Sequence, residues 1–172
     1  RCAPWPYAPS DEPRLPTCMP DGSPWPLISI VTPTRNQARY IEETLLSVRH
    51  QNYPRIEHIV MDGGSTDGTM EIVERYKDGL THAVSERDRG QSDAINKGMR
   101  RATGDILTWL NSDDMLAPGA LAAAAIAFRT SGADLVAGEC HVQRDGRTIS
   151  RHLTACADGP LPLDDLLDLD RC

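Results

Sequence analysis

Short apolar runs alternate with segments of helical periodicity through most of this chain. Runs rich in β-branched and other apolar residues predict strands at 27–32, 56–61, 81–85, 106–110 and 134–137. Between them, apolar residues that recur at every third or fourth position predict helices at about 38–51, 68–76, 92–101 and 118–129. Because strands and helices alternate, we expect βαβ units, and therefore an α/β fold with a mostly parallel sheet and right-handed crossovers.

The two flanking regions have different patterns. Residues 1–26 hold 8 of the 13 prolines, so we expect an extended linker, or a strap lying over a domain that comprises residues 27–172. A proline-rich ligand for a partner domain is the weaker alternative. Near the other end, an Asp-Gly pair between strand-like flanks predicts a hairpin over 143–148. Leucines at 163, 166, 167 and 169 predict a last helix.

Composition limits the possible partners. A formal net charge of −7 over 172 residues argues against nucleic acid or an anionic membrane as the main partner. No apolar run approaches the roughly 20 residues that span a bilayer, so we expect no transmembrane segment. The five cysteines are odd in number and lack zinc-site spacing, which favours reduced thiols in a cytoplasmic protein. The start at Arg1 and the end at Cys172 indicate a piece of a longer protein.

Polar clusters follow each of the first four predicted strands. They lie at 32–36, 62–68, 86–91 and 111–114. The carboxyl ends of parallel strands meet at one edge of a sheet, and ligands bind there at the switch in strand order. The four clusters together therefore predict one ligand site.

The cluster after the fourth strand contains two adjacent carboxylates, Asp113 and Asp114. Their mutual repulsion in a cleft would be relieved by a divalent cation, and hard oxygen ligands suit Mg²⁺ or Mn²⁺. The alternative is a pair that caps the helix near Pro118.

The glycine-rich cluster at 62–68 permits close backbone approach to a ligand. Asp62 and Asp67 in it could accept hydrogen bonds from a base or a ribose, although Asp67 also suits an Asx-turn and helix cap. The spacing is neither that of a P-loop nor that of an EF-hand, and no G-x-G-x-x-G motif occurs. Arg87, Arg89 and Lys97 are the cations expected nearest to a bound pyrophosphate.

The clusters and the strands before them resemble the motifs of family 2 glycosyltransferases. The likeness is carried by Leu27–Asn36, Ile59–Thr69, Arg89–Gly98 and Thr103–Asp114, which occur in order and cover about residues 27–140. It implies a GT-A fold, a Rossmann-like and mostly parallel sheet flanked by helices, here truncated at the C-terminal acceptor half. It also implies a nucleotide-diphosphate sugar as donor, most commonly a UDP-sugar.

The resemblance further implies roles for single residues. Pro33 and Thr34 would lie by the nucleobase, Asp62 would hydrogen-bond the base, and Asn36 and Asp67 would be neighbours of that pocket. Gly90, Asp93 and Asn96 would approach the base, ribose or pyrophosphate. Asp113 would face the ribose, and Asp114 would bind Mn²⁺ or Mg²⁺, which neutralises the diphosphate leaving group.

By the same resemblance, the sugar passes to a glycan or lipid-linked acceptor, usually with inversion, in polysaccharide or cell-envelope glycan biosynthesis. The location would be cytoplasmic, or peripheral at the cytoplasmic face of the membrane. No matching block follows Asp134, so the general base is not assigned. One alternative is a non-catalytic nucleotide-sugar-binding module or a truncated, inactive fragment. A sugar-phosphate nucleotidyltransferase is weaker still, because its glycine-rich opening motif is absent.

Overall fold

The computed structural model describes residues 15–138, 140–144 and 147–152. Strands and helices alternate as the sequence predicts, and a short 3-10 helix follows α2 at Lys77–Gly79. The elements are β1 Ile28–Thr34, α1 Ile41–Arg49, β2 Ile56–Asp62, α2 Thr69–Arg75, β3 His82–Ser85, α3 Gln91–Met99, β4 Ile106–Trp109, α4 Ala120–Ser131, β5 Cys140–Arg144 and β6 Arg147–His152.

The strands β1 to β4 form one parallel sheet in the order β3-β2-β1-β4. This confirms the predicted α/β class. β2 and β3 lie on one side of β1, and the chain then returns through α3 to place β4 on the other side. The strand order therefore reverses beside β1, which is where a doubly wound sheet opens a crevice.

Apolar side chains cover both faces of this sheet. The face toward α3 holds a cluster of Val31, Ile59, Met61 and Ala94. The opposite face packs against α1 and α2 through Ile41, Leu45, Val60 and Val73. Each of these eight side chains is at most 4% exposed, so the sheet is the middle layer of three.

Pro33 lies inside β1 without interrupting the sheet. The carbonyl of Thr34 accepts a hydrogen bond from Gly63 after β2, whereas the carbonyl of Val31 accepts one from Leu110 after β4. Because alternate residues of a parallel strand bond to opposite neighbours, the missing N–H of Pro33 lies on the β4 side. The β1–β4 ladder has already ended at the pair Val31 and Trp109, so no ladder bond is lost.

Residues 15–26 pack against the larger part of the fold. Trp25 is 2% exposed, its indole Nε1 donates to the carbonyl of Pro16 (2.9 Å), and its ring contacts Tyr53 edge-to-face at 5.4 Å. The Tyr53 hydroxyl donates to the carbonyl of Pro26 (2.8 Å), and burial raises the pKa of Tyr53 to about 12. The domain boundary at residue 26 stays a prediction, because residues 1–14 lie outside the described part.

The described chain divides into two compact units between Ala125 and Ile126. The smaller unit contains the antiparallel pair β5–β6, which confirms the predicted hairpin, although its Asp-Gly turn lies outside the described residues. The predicted helix near 163–169 lies outside them as well.

The prediction of a strand at 134–137 is wrong. These residues follow Gly132, which ends α4 with φ +64°, and they form no ladder with any described strand. Leu135 is 53% exposed, so the apolar run is not buried between neighbours. A run of three apolar residues does not by itself form a strand, because strand formation also depends on pairing with a neighbouring strand.

Candidate functional site

A cleft of about 440 Å³ opens at the carboxyl ends of β1 and β4, beside the start of α3. This is the switch point of the sheet, and three of the four polar clusters meet there, whereas the cluster at 62–68 does not contribute to the lining. The cleft is lined by residues from three of those clusters, by one residue just after the first cluster and by α3, namely Pro33, Thr34, Arg35, Gln37, Asp88, Gly90, Gln91, Ala94, Asn111, Ser112 and Asp113.

The end of β1 forms one wall of the cleft. Thr34 is 5% exposed, and its buried Oγ1 has no hydrogen-bond partner within the described chain. A buried hydroxyl without a partner costs about 1–3 kcal/mol, so a polar ligand atom that supplied one would be favoured. Arg35 follows on the surface and brings a cation to this wall.

The loop before α3 forms a second wall. Gly90 adopts φ +119°, a conformation that favours glycine, and its N–H donates to a carboxylate oxygen of Asp88 (2.9 Å). A Cβ at Gly63 would overlap that same carboxylate, so the loop after β2 and the Asp88 side chain of the loop after β3 approach each other closely.

The turn after β4 forms the third wall. The Asp114 N–H donates to the carbonyl of Asn111 (3.1 Å), and Thr44 of α1 donates to the carbonyl of Asp114 (2.8 Å). The Gln91 amide nitrogen donates to Asn111 Oδ1 (2.7 Å), and Asn111 Nδ2 donates to Asp114 Oδ2 (2.9 Å). Asp113 is exposed and lines the cleft.

Asp62 ends β2 but is not part of the cleft lining. It is 1% exposed, and its carboxylate accepts hydrogen bonds from the N–H of Gly64 (3.1 Å), the N–H and hydroxyl of Ser65, and the hydroxyl of Ser85 (2.5 Å). The carboxylate thus organises its own loop and joins it to β3. Its predicted contact with a base stays a prediction.

Asn36 and Asp67 join the loops after β1 and β2. Asn36 adopts φ +53°, and its Oδ1 accepts from the N–H of Thr66 (2.9 Å). Asp67 accepts from the hydroxyl and N–H of Thr69 and from the N–H of Ala38, and these bonds hold its pKa below the ordinary value. The local interpretation of Asp67 as an Asx-turn residue agrees with this geometry, whereas its assignment as the helix cap is wrong, because the N-cap of α2 is Gly68. Neither the Asn36 nor the Asp67 side chain lines the cleft.

Asp93 and Asn96 lie on α3, outside the lining. Asp93 accepts from the N–H of Arg89 (3.1 Å) and pairs with Lys97 (3.4 Å). The Arg89 N–H, together with the nearby Lys97 charge, lowers the pKa of Asp93. Lys97 also donates to the carbonyl of Arg87 (2.8 Å). Arg89 pairs with Asp93 as well (3.4 Å), so Arg89 and Lys97, two of the three cations expected near a pyrophosphate, are both paired with Asp93. Asn96 is exposed.

The structure therefore brings four of the predicted residues to the cleft, Pro33, Thr34, Gly90 and Asp113, with Asp114 next to the last of them. Several further residues line the cleft in addition to those predicted from the motifs. These were within reach of the same signal, because they lie in or directly beside the polar clusters, namely Arg35, Gln37, Asp88, Gln91, Asn111 and Ser112.

The donor set at the turn after β4 fits a hard divalent cation bound together with a ligand. Asp113 and Asp114 are exposed carboxylates beside the cleft, and within the described residues no group of three or more His, Cys, Asp or Glu could enclose an ion. Mg²⁺ is commonly held by one or two carboxylates, with water and substrate phosphates completing its shell. The site suits that mode and not a closed structural metal site.

The family follows from comparison with known proteins. The sequence profile of Glycosyl transferase family 2 matches residues 29–163, which include every residue of the cleft lining. The chain therefore belongs to this family, as the resemblance of its four motifs predicted.

Two relatives illustrate the similarity in sequence. The chain is 42% identical over 92 residues to TuaG of Bacillus subtilis (strain 168), whose name describes a glycosyltransferase of teichuronic acid biosynthesis. The match covers 52% of this chain and 36% of TuaG. It is 31% identical over 118 residues to the glycosyltransferase AglE of Haloferax volcanii, covering 66% of this chain and 39% of AglE.

Solved structures show the same similarity in fold. S. aureus TarS 1–349 in complex with UDP matches with a TM-score of 0.57 and 32% identity over 63% of this chain and 33% of TarS 1–349. The mannosyltransferase PcManGT from Pyrobaculum calidifontis, in complex with GDP-Man and Mn²⁺, matches with a TM-score of 0.56 and 30% identity over 83% of this chain and 39% of PcManGT. These neighbours confirm the predicted GT-A fold.

The chain thus spans between 33% and 39% of the length of these four relatives. Across the described residues, no helix has both the length and the apolar character needed to cross a membrane.

Proposed function

We propose that this chain binds the donor of a metal-dependent glycosyltransferase, which moves a sugar from a nucleotide-diphosphate sugar to an acceptor. The observation that carries the proposal is the cleft of about 440 Å³ at the switch point of the sheet. Its volume falls within the range of small-molecule sites, and it combines a buried unpartnered hydroxyl, a cation and a carboxylate.

In this proposal, different residues at the cleft bind the nucleobase, the ribose and the metal ion. Pro33 and Thr34 form the wall beside the nucleobase, with the Thr34 hydroxyl available for one of its polar atoms. Asp113 faces the ribose hydroxyls, and Asp114 holds Mn²⁺ or Mg²⁺. A bound cation supplies Lewis-acid stabilisation of the diphosphate leaving group. The cation would also offset the repulsion between this acidic protein and the negatively charged diphosphate of the donor.

The named relatives support a UDP- or GDP-linked donor. TarS was solved with UDP, and PcManGT with GDP-Man and Mn²⁺. We place UDP first, as the commonest donor nucleotide of the family. TuaG, named for teichuronic acid biosynthesis, supports an acceptor among cell-envelope glycans. Transfer with inversion needs a general base, for which no residue of this chain is nominated.

Calorimetric titration with UDP and with GDP, each with and without Mn²⁺, tests the proposal. We expect one nucleotide to bind, and we expect Mn²⁺ to strengthen its binding. Asp114→Asn should remove the gain from Mn²⁺, whereas Asp78→Asn, in the exposed 3-10 helix after α2, should leave it unchanged. Absence of binding by both nucleotides, with and without Mn²⁺, would contradict the proposal.

A non-catalytic binding module, or an inactive fragment, is the second candidate. It is supported by the cleft, whose polar lining suits donor binding, whereas none of the four motifs contains an assigned general base for an acceptor. Donor turnover separates the two candidates. Release of UDP or GDP from the matching sugar nucleotide, lost in Asp114→Ala, would exclude the second candidate, and binding without turnover would favour it.

A further inference from the structure

Three polar side chains form a continuous chain of hydrogen bonds along the cleft. Gln91 at the start of α3 donates to Asn111 after β4 (2.7 Å), and Asn111 donates to Asp114 Oδ2 (2.9 Å). Gln91 and Asn111 both line the cleft, so the chain of bonds crosses from the α3 wall to the β4 wall.

The direction of these bonds is set by the carboxylate. An ionised carboxylate only accepts hydrogen bonds, so Asn111 must turn its NH₂ toward Asp114 and its carbonyl oxygen away. That oxygen is also only an acceptor, so Gln91 must in turn present its own NH₂. The charge of the Asp114 carboxylate therefore holds the Gln91 and Asn111 amides each in one of their two orientations.

We propose that Gln91 and Asn111 are positioning residues for the metal-binding carboxylate of Asp114, an inference that rests on the proposed function above. The Asn111 amide donates to Oδ2 and restricts the rotation of the carboxyl group. Among the described residues no hydrogen bond to Oδ1 is found, so this oxygen is available for a cation. Asp114 thus offers one oxygen in a fixed direction. Hydrogen-bonded partners of a ligating carboxylate orient it in this way, and their loss typically weakens metal binding by about 10- to 100-fold.

The backbone of the same turn supports this role. Thr44 on α1 donates to the Asp114 carbonyl (2.8 Å), and the Asp114 N–H donates to the Asn111 carbonyl (3.1 Å). The main chain of Asp114 is therefore held by α1 and by its own turn, and its side chain is held by Asn111. Because Gln91 is the first residue of α3, the start of that helix is coupled to the orientation of the carboxylate.

The test is a double-substitution cycle on Mn²⁺ affinity, measured by electron paramagnetic resonance in saturating UDP or GDP, whichever binds. Gln91→Met and Asn111→Leu keep the side-chain size and remove the amides. We expect each to weaken Mn²⁺ binding about tenfold. The double variant should bind Mn²⁺ no more weakly than Asn111→Leu alone, because both changes break the same chain of bonds.

Two controls separate positioning from a general effect on structure. Arg100→Met introduces a methionine, as Gln91→Met does, but at the exposed C-cap of α3, away from the cleft. This variant should leave Mn²⁺ affinity unchanged. The melting temperature should change little in either single variant, since the Gln91 bond lies on the exposed surface, so a loss of Mn²⁺ affinity would not reflect a general loss of structure.

Additive losses in the double variant would mean that Gln91 and Asn111 contact the ligand independently, and this would overturn the inference. Wild-type Mn²⁺ affinity in Gln91→Met would overturn it as well. Failure of the proposed function looks different, because the wild-type chain itself would then bind neither nucleotide with Mn²⁺.

Discussion

Thr32 and His58 form a buried hydrogen-bonded pair between neighbouring strands β1 and β2. The hydroxyl and the His58 Nε2 lie 2.9 Å apart, and both residues are at most 2% exposed. Burial lowers the pKa of His58 to about 4, so the folded protein holds the imidazole neutral at pH 7. The pair satisfies two polar groups inside the apolar layer and has no part in the cleft.

This pair makes stability depend on pH in a definite direction. The folded pKa of His58 lies below the ordinary value of 6.5, so the unfolded chain takes up the proton first as the pH falls. The contribution of His58 to stability is therefore present at neutral pH and lost on acidification. Between pH 7 and pH 5 we expect a loss of about 2 kcal/mol in the free energy of unfolding.

Urea denaturation of the wild type and of His58→Gln at pH 7 and pH 5 measures this loss. Glutamine can keep a hydrogen bond to Thr32 but does not titrate, so its stability should fall by about 2 kcal/mol less than that of the wild type. Carboxyl groups titrate mainly below this interval and affect both proteins alike. Equal losses in the two proteins would contradict the prediction.

At the scale of elements, α3 is the helix that positions the site. Its first residues and the loop before it form one wall of the cleft, and its far half packs on β1 and β2. A Cβ at Gly98 would overlap the side chain of Val31 and would lie 3.1 Å from Met61 Cγ. The absence of a side chain at Gly98 therefore sets how closely α3 lies on the sheet.

Gly98→Ala should destabilise the protein for this reason. Alanine favours a helix over glycine by about 1 kcal/mol, but overpacking of a core costs about 1–3 kcal/mol, and here the steric term should win. Gly79→Ala is a matched control, because no atom lies within 4 Å of a Cβ there.

A second substitution tests the steric cause. Val31→Ala should recover part of the stability lost in Gly98→Ala, as measured by thermal and urea unfolding of the single and double variants. If the two losses simply add, overlap between these two side chains is not the cause.

At the scale of the whole molecule, the sheet that the described residues form ends in an edge strand. β4 is the outer strand beside β1, and its residues Leu107 and Trp109 are 52% and 56% exposed. An edge strand has unpaired backbone groups, and large apolar side chains on it favour association with another surface.

We expect this chain to self-associate through β4 at high concentration. Leu107→Lys should reduce the association, because a charged side chain on an edge strand opposes pairing with a second copy. Thr81→Lys, directly before the opposite edge strand β3, adds the same charge at another edge and serves as the control. Sedimentation velocity across a concentration series measures the effect; equal behaviour of the two variants would place the contact elsewhere.

The alternation of strands and helices was predictable from the sequence because each element carries its own period of apolar residues. The position of the cleft was predictable too, because parallel strands bring the residues after them to one edge. The strand predicted at 134–137 was wrong because an apolar run becomes a strand only beside a partner, and no local pattern reports that partner.

The sequence by itself determined the family, the α/β class and the edge of the sheet that holds the site, since four ordered motifs and the polar strand ends are properties of the linear chain. Only the tertiary structure decided which polar residues face the cleft. Asp62 does not line the cleft, and its carboxylate accepts a hydrogen bond from Ser85 of another strand. Gln91 and Asn111 meet because α3 returns the chain to the far side of β1. Such contacts join residues that are distant in sequence, and the packing of the sheet alone brings them within hydrogen-bonding distance.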